Sequence, residues 1–112
     1  MAEEIALIVG VGPGLGAALG RRFAKAGAKV ALASRRLEPV QEIAKEYGAK
    51  AYACDATDEK SVLDLYTAVE RDLGAAPSIV VYNASGRVRG SVLDIAVSDF
   101  KEAWDRGCLG GF

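Results

Sequence analysis

The stretch from Ile5 to Leu19 constrains this chain's fold more than any other. It opens with an uninterrupted apolar run, Ile5 to Val9, the pattern of a strand buried on both faces. Glycines then alternate at 10, 12, 14 and 16, and an apolar helical pattern begins at once. A strand, a glycine turn and a helix in this order point backbone N–H groups and a helix N-terminus at a phosphate. Glycine in such a turn serves separate needs. It permits the tight turn, it removes a Cβ that would block a pyrophosphate, and it lets helix and strand pack closely. A plain strand-to-helix turn seldom needs so many glycines in so few residues.

Spacing separates the nucleotide-binding motifs. A P-loop requires Gly-x-x-x-x-Gly-Lys-Ser/Thr, and no lysine occupies that place. The NAD fingerprint Gly-x-Gly-x-x-Gly would need glycine at 15, where the chain has Leu15. The pattern present is Gly10-x-x-x-Gly14-x-Gly16, which resembles the glycine motif of the short-chain dehydrogenase/reductase family. Val9 stands where that family usually has threonine. The run Val9-Gly-x-Gly-Pro-Gly14 also resembles the first motif of S-adenosylmethionine-dependent methyltransferases, so the rest of the chain must arbitrate.

With 112 residues, the chain forms one domain, 1–112. Acids and bases are interspersed to a net charge of −1, which points away from nucleic acid and from membrane surfaces as partners. There is no histidine, and Cys54 and Cys108 are far apart, so neither a metal site nor a Cys/His nucleophile pair is expected. Both thiols read as buried core residues of an intracellular protein. The N-terminus lacks the basic flank and apolar core of a signal peptide, and no run reaches transmembrane length. A cytoplasmic location is the expectation.

Along the chain, Leu15, Ala18, Leu19, Phe23 and Ala26 recur at helical steps before Gly27. Lys29 to Ala33 reads as a second strand ending at Ser34-Arg35-Arg36. A second helix places Leu37, Val40, Ile43, Ala44 and Tyr47 on one face and stops at Gly48. Ala49 to Cys54 forms a third strand. Asp55 to Asp58 supplies a turn and an N-cap for a helix with Val62, Leu65, Val69 and Leu73 inward, ended by Gly74. Ile79 to Tyr82 is the fourth strand, Asn83 to Gly90 a loop. A last helix begins near Ser98, with Phe100, Ala103, Trp104 and Cys108 on its apolar side.

Alternating strands and helices predict a parallel sheet built from right-handed crossovers. The first two helices then share one face, the strands run outward from the first to the third, and the fourth returns beside the first. The expected fold is α/β, a Rossmann-like parallel sheet of order 3-2-1-4 with helices on both faces. A crevice opens at the carboxyl ends of the strands where the order reverses. The glycine turn, the Ser34 corner, Asp55 and the Asn83 loop all lie at those ends, so one ligand could touch all of them.

The family resemblance extends over essentially the whole chain. Cys54-Asp55-Ala56 sits where members carry an aspartate that bonds the adenine ring, and Asn83-Ala84-Ser85-Gly86 is similar to the Asn-Asn-Ala-Gly motif whose backbone flanks the ribose. Tyr82 and Ser85 are departures from that motif. The resemblance therefore implies cofactor contacts from Gly10, Gly12, Pro13, Gly14, Leu15 and Gly16 in the turn. It adds Ser34, Arg35 and Arg36 at the corner, then Cys54, Asp55 and Ala56, and finally Asn83, Ala84 and Ser85. As turn or cap residues, Asp55 and Asn83 also have plain structural readings, and Arg36 has one as a solvated loop arginine.

The corner after the second strand also bears on the type of cofactor. Methyltransferases and NAD-preferring dehydrogenases usually place a carboxylate there to bind ribose hydroxyls. Here Ser34 is uncharged and two arginines follow, and a guanidinium can pair bidentately with a 2′-phosphate. NADP(H) is favoured over NAD(H), and the methyltransferase reading recedes.

Trp104 to Phe112 resembles a helix that in the family reads Val-Asn-x-x-Gly-x-Phe, but Gly107 replaces the asparagine that supports proton relay. The family's reaction needs a tyrosine with a lysine four residues on. Tyr47, Tyr52, Tyr66 and Tyr82 are followed at that step by Ala51, Ala56, Glu70 and Gly86, so no catalytic residue is assigned. The resemblance implies a truncated reductase, the cofactor-binding N-terminal half. Its parent would exchange hydride between nicotinamide and a carbonyl or alcohol substrate. A non-catalytic dinucleotide-binding or sensing module is the alternative. Substrate and oligomeric state stay open, a homo-oligomer of the parent being compatible with everything above.

Overall fold

The computed structural model describes residues 4–112. Elements alternate as β1 (Ile5–Val9), α1 (Leu15–Lys25), β2 (Lys29–Ser34), α2 (Leu37–Lys45), β3 (Lys50–Ala53), α3 (Glu59–Leu73) and β4 (Ile79–Tyr82). Helix α4 (Val97–Gly107) and a 3₁₀ turn at Leu109–Gly111 complete the described chain. The four strands form one parallel sheet in the order β3-β2-β1-β4. The Rossmann-like expectation holds.

Burial on both faces explains the continuous apolar runs in the central strands. Leu7, Val9, Ala31 and Ala33 face α3, where Leu65, Val69 and Leu73 cover them. Ile8, Val30 and Leu32 face the opposite layer, against Val40 and Ala44 of α2 and Leu19 and Phe23 of α1. Register levels the strand ends: Val9 pairs with Ala33 and with Tyr82, and Ser34 pairs with Ala53. Each following loop therefore starts from the same edge of the sheet.

Helix α3 is set at both ends by its own sequence. The Asp58 carboxylate accepts from the Lys60 N–H at 3.2 Å, and Gly74 caps the far end at φ 93. Asp58 is exposed, so its removal costs no core contact. Asp58→Ala is expected to destabilise the fold by about 1 kcal/mol, with Asp58→Asn close to wild type. Urea titration of the three proteins checks this; an alanine variant indistinguishable from wild type would show that the cap is idle.

Several expectations need correction. In α1 the buried residues are Gly16, Ala17 and Gly20, with Leu19 and Phe23 packed beside them, whereas Leu15 is 63 % exposed. Small residues face inward because the helix lies close to the sheet: a Cβ on Gly20 would stand 2.9 Å from Leu32 Cδ2. Helix α2 stops at Lys45, and Tyr47 packs from beyond it. Of the two thiols expected in the core, Cys54 is buried but Cys108, just past α4, is exposed. No residue of α4 is buried, and Phe100 and Trp104 stay largely exposed. Among the described residues nothing packs over that side. The same is true of the outer edge of β4, where Val80 is 48 % exposed.

Candidate dinucleotide site

The level strand ends surround a cleft of about 230 Å³. Of the turn, Gly10, Val11 and Gly12 line it. The corner contributes Ser34 and Arg35, the end of β3 contributes Cys54, Asp55 and Ala56, and the loop after β4 contributes Asn83, Ala84 and Ser85. Pro13, Gly14 and Leu15 are exposed and outside this lining, Gly16 is buried beneath the turn, and Arg36 faces solvent as the residue preceding α2. Whole-ligand pockets run to about 300–1,000 Å³, so this cleft has room for only part of a larger ligand.

The glycines divide their tasks. Gly10 leaves β1 at φ 94, and a Cβ there would lie 2.6 Å from Ala84 Cα and 2.7 Å from the Asn83 carbonyl carbon. Gly10 is thus the contact between the turn and the β4 loop. A Cβ on Gly16 would meet Val11 Cα at 2.9 Å, so Gly16 seats α1 on the turn. Gly12 and Gly14 differ, since a Cβ on either meets nothing within 4 Å. At Gly12 that open space is the cleft itself. Helix α1 has no side-chain N-cap and no acid in its first turn, which leaves its N-terminal N–H groups to an external acceptor.

At the corner, Arg35 forms no ion pair with any described residue, and its guanidinium is close enough to influence Asp55. Bonds from Thr57 hold the Asp55 carboxyl below the usual carboxylate range, with Arg35 adding to the effect. The Thr57 backbone N–H and hydroxyl both donate to Asp55 Oδ1, at 2.9 and 2.6 Å. Asp55 is therefore an ionised turn residue that also faces the cleft, so its two readings coexist. Asn83 likewise has a structural duty, its Nδ2 donating to the Gly10 carbonyl at 3.2 Å while its N–H donates to Val9 at 2.7 Å.

Beyond the expected residues, Val9, Val11, Thr57, Tyr82 and Arg106 also line the cleft. Tyr82 ends β4 and donates through its hydroxyl to the Arg106 carbonyl at 2.5 Å, fastening the last turn of α4 beside the cleft. Burial pushes the Tyr82 phenol up, with the charges of Asp55 and Cys54 adding to it. Burial likewise raises the Cys54 thiol, which makes it a poor nucleophile. The polar tip closing the apolar run Ile79–Tyr82 was the one available signal. Arg106 gave none, because its position depends on how the chain returns after Gly90. Gly107 is not sterically required: a Cβ there would sit 3.7 Å from Gly86 N, an ordinary contact.

A parallel 3-2-1-4 sheet, a glycine turn leading into an uncapped helix and a cleft at the strand ends define a Rossmann-like α/β protein. A family model described as short chain dehydrogenase matches residues 4–112. An uncharacterised oxidoreductase of Caenorhabditis elegans is 37 % identical over 89 residues, covering 74 % of this chain and 28 % of that protein. A mitochondrial borneol dehydrogenase of Lavandula x intermedia is 33 % identical over 113 residues, covering 97 % of this chain and 42 % of its own length. A crystal structure of a short chain dehydrogenase from Mycobacterium smegmatis superposes with a TM-score of 0.91 at 20 % identity, over 97 % of this chain and 47 % of that one. The chain belongs to the short-chain dehydrogenase family, whose members bind a nicotinamide dinucleotide. It spans less than half the length of these relatives.

Proposed function

We propose that this chain supplies the adenosine and pyrophosphate contacts of an NADP(H)-dependent oxidoreductase. The parent reaction is hydride exchange between the nicotinamide and a carbonyl or alcohol, in which the bound cofactor would donate hydride to the carbonyl or accept it from the alcohol. The observation that carries this reading is the convergence of Gly12, Arg35, Asp55 and the Asn83 loop on one cleft. Open space at Gly12 is the cradle a pyrophosphate needs, and the N-terminus of α1, a few residues on, has no side-chain cap. Arg35, which has no ion pair among the described residues, is the group for the 2′-phosphate. Asp55 holds its charge through the Thr57 bonds to Oδ1 and lines the cleft on the side where the adenine would lie.

The relative named for borneol dehydrogenation supports an alcohol–carbonyl pair as the substrate class. No Tyr-x-x-x-Lys lies within these residues, so the chain by itself binds cofactor without turning substrate over. A cytoplasmic setting accords with its two free cysteines.

Gly12→Val tests the cradle. Its Cβ enters the cleft and touches no protein atom, so nucleotide affinity is expected to fall at least roughly tenfold while stability changes by less than about 1 kcal/mol. NADPH titration and thermal melting read the two effects separately. Unaltered affinity in the folded variant would remove the cleft from the cofactor's path.

A further inference from the structure

Beside the cleft, on the β4 side, a second groove of about 480 Å³ runs between residues 85–89 and α4. Arg87, Arg89 and Arg106 line it together with Asp99 and Glu102. Glu102 is bonded to Arg106 at 3.0 Å, and Asp99 sits in the first turn of α4, where the helix dipole favours an acid. Arg87 and Arg89 are exposed and have no ion pair with any described residue. The groove is therefore net positive, with two guanidinium forks available to an anion. Its volume lies in the range of small-molecule pockets, about 300–1,000 Å³. Ser85 and Arg106 line both the cleft and the groove, so the two are continuous.

We propose that this groove is an anion subsite that takes the carboxylate or phosphate of the carbonyl substrate. The assignment rests on the dinucleotide reading given above. Sheet order supplies the placement. Strands β2 and β4 flank β1 on opposite sides, so Arg35 and the groove lie on opposite sides of the glycine turn. With the 2′-phosphate at Arg35 and the pyrophosphate at the turn, the remaining half of the cofactor extends toward β4. The groove then borders its reacting end. Arginine suits the task, because its planar fork holds carboxylate or phosphate oxygens bidentately. The other side of the same segment forms a hollow with Phe100 and Trp104, both largely exposed. A substrate with an anionic end and an apolar body would satisfy both surfaces.

Trp104 is the only tryptophan of the chain, so its emission reports on that hollow. The chain is titrated with octanoate, octyl phosphate and octanol, and separately with NADP⁺, whose binding is read by calorimetry. Both anions are expected to bind at least roughly tenfold more tightly than octanol, a preference that added salt erodes. Tighter octyl phosphate identifies a phosphate-bearing substrate, and tighter octanoate a carboxylate. In the double variant Arg87→Gln/Arg89→Gln, with its fold verified by circular dichroism, anion affinity falls to the octanol level. Arg87→Lys/Arg89→Lys restores part of it. Equal affinity for octanol and the anions in the wild type overturns the proposal, as does an unchanged anion preference in the glutamine variant. An anion preference without NADP⁺ binding upholds the groove and overturns the dinucleotide reading. NADP⁺ binding without that preference does the reverse.

Discussion

Gly10→Ala is expected to lower stability by about 2–4 kcal/mol and to open the cleft at the same time. Two costs combine. Alanine at φ 94 adopts a left-handed conformation that disfavours any Cβ, at about 1–2 kcal/mol. That Cβ also lands 2.6 Å from Ala84 Cα and 2.7 Å from the Asn83 carbonyl carbon. Both are backbone atoms, which cannot turn aside as a side chain would, and overpacking of this kind costs about 1–3 kcal/mol. The backbone must separate, which pulls on the bonds from Asn83 to Gly10 and Val9. Since 1 kcal/mol moves the melting midpoint by about 4 °C at this chain length, a drop on the order of 10 °C is the measurement. Gly14→Ala is the control, because a Cβ there meets nothing within 4 Å. Equal midpoints for the two variants would mean that the turn and the β4 loop are not held together at Gly10.

Arg35→Ala is expected to weaken NADPH binding about tenfold to hundredfold while leaving NADH nearly untouched. A 2′-phosphate carries close to two negative charges near neutral pH, and charge-assisted hydrogen bonds to such a group contribute about 1.5–3 kcal/mol. That range converts to the stated factor. The arginine is exposed and has no ion pair among the described residues, so its removal disturbs no packing. Asp55, which Arg35 influences only weakly, keeps its Thr57 bonds in the variant. Raising salt erodes the wild-type preference through screening. Arg36, outside the cleft lining, provides the comparison: Arg36→Ala alters the preference less. Paired titrations with NADPH and NADH decide the matter. Equal weakening of both cofactors would assign Arg35 to holding the corner, and a wild type preferring NADH would overturn the reading of that corner.

Most of the architecture was legible along the chain. Uninterrupted apolar runs, helical periodicity, glycines at 27, 48 and 74, and the Asp58 cap are local signals, and each acts on a few neighbouring residues. The strand order followed as well, because right-handed crossovers leave few ways to arrange consecutive parallel strands. With the order known, the strands' carboxyl ends gather Gly10, Gly12, Ser34, Arg35, Asp55 and Asn83 without further information.

Tertiary structure alone decided what each of these residues touches. The turn's glycines look interchangeable in the sequence, yet Gly10 meets the β4 loop, Gly16 meets Val11, and Gly12 meets open space. Those partners lie on different elements, and spacing within one element cannot encode them. The inward face of α1 was misjudged for a related reason. Hydrophobicity favours Leu15, but the short distance to the sheet buries Gly16, Ala17 and Gly20, with Leu19 and Phe23 partly buried beside them. The apolar face of α4 shows the limit most clearly. A periodic pattern marks a face suited to burial, whereas burial requires a partner opposite, and Phe100 and Trp104 have none among the described residues. The approach of Arg106 to the cleft depends on the Tyr82 hydroxyl catching a carbonyl on a helix 24 residues away in the chain. No local rule carries that contact, because it exists only once the chain has folded back on itself.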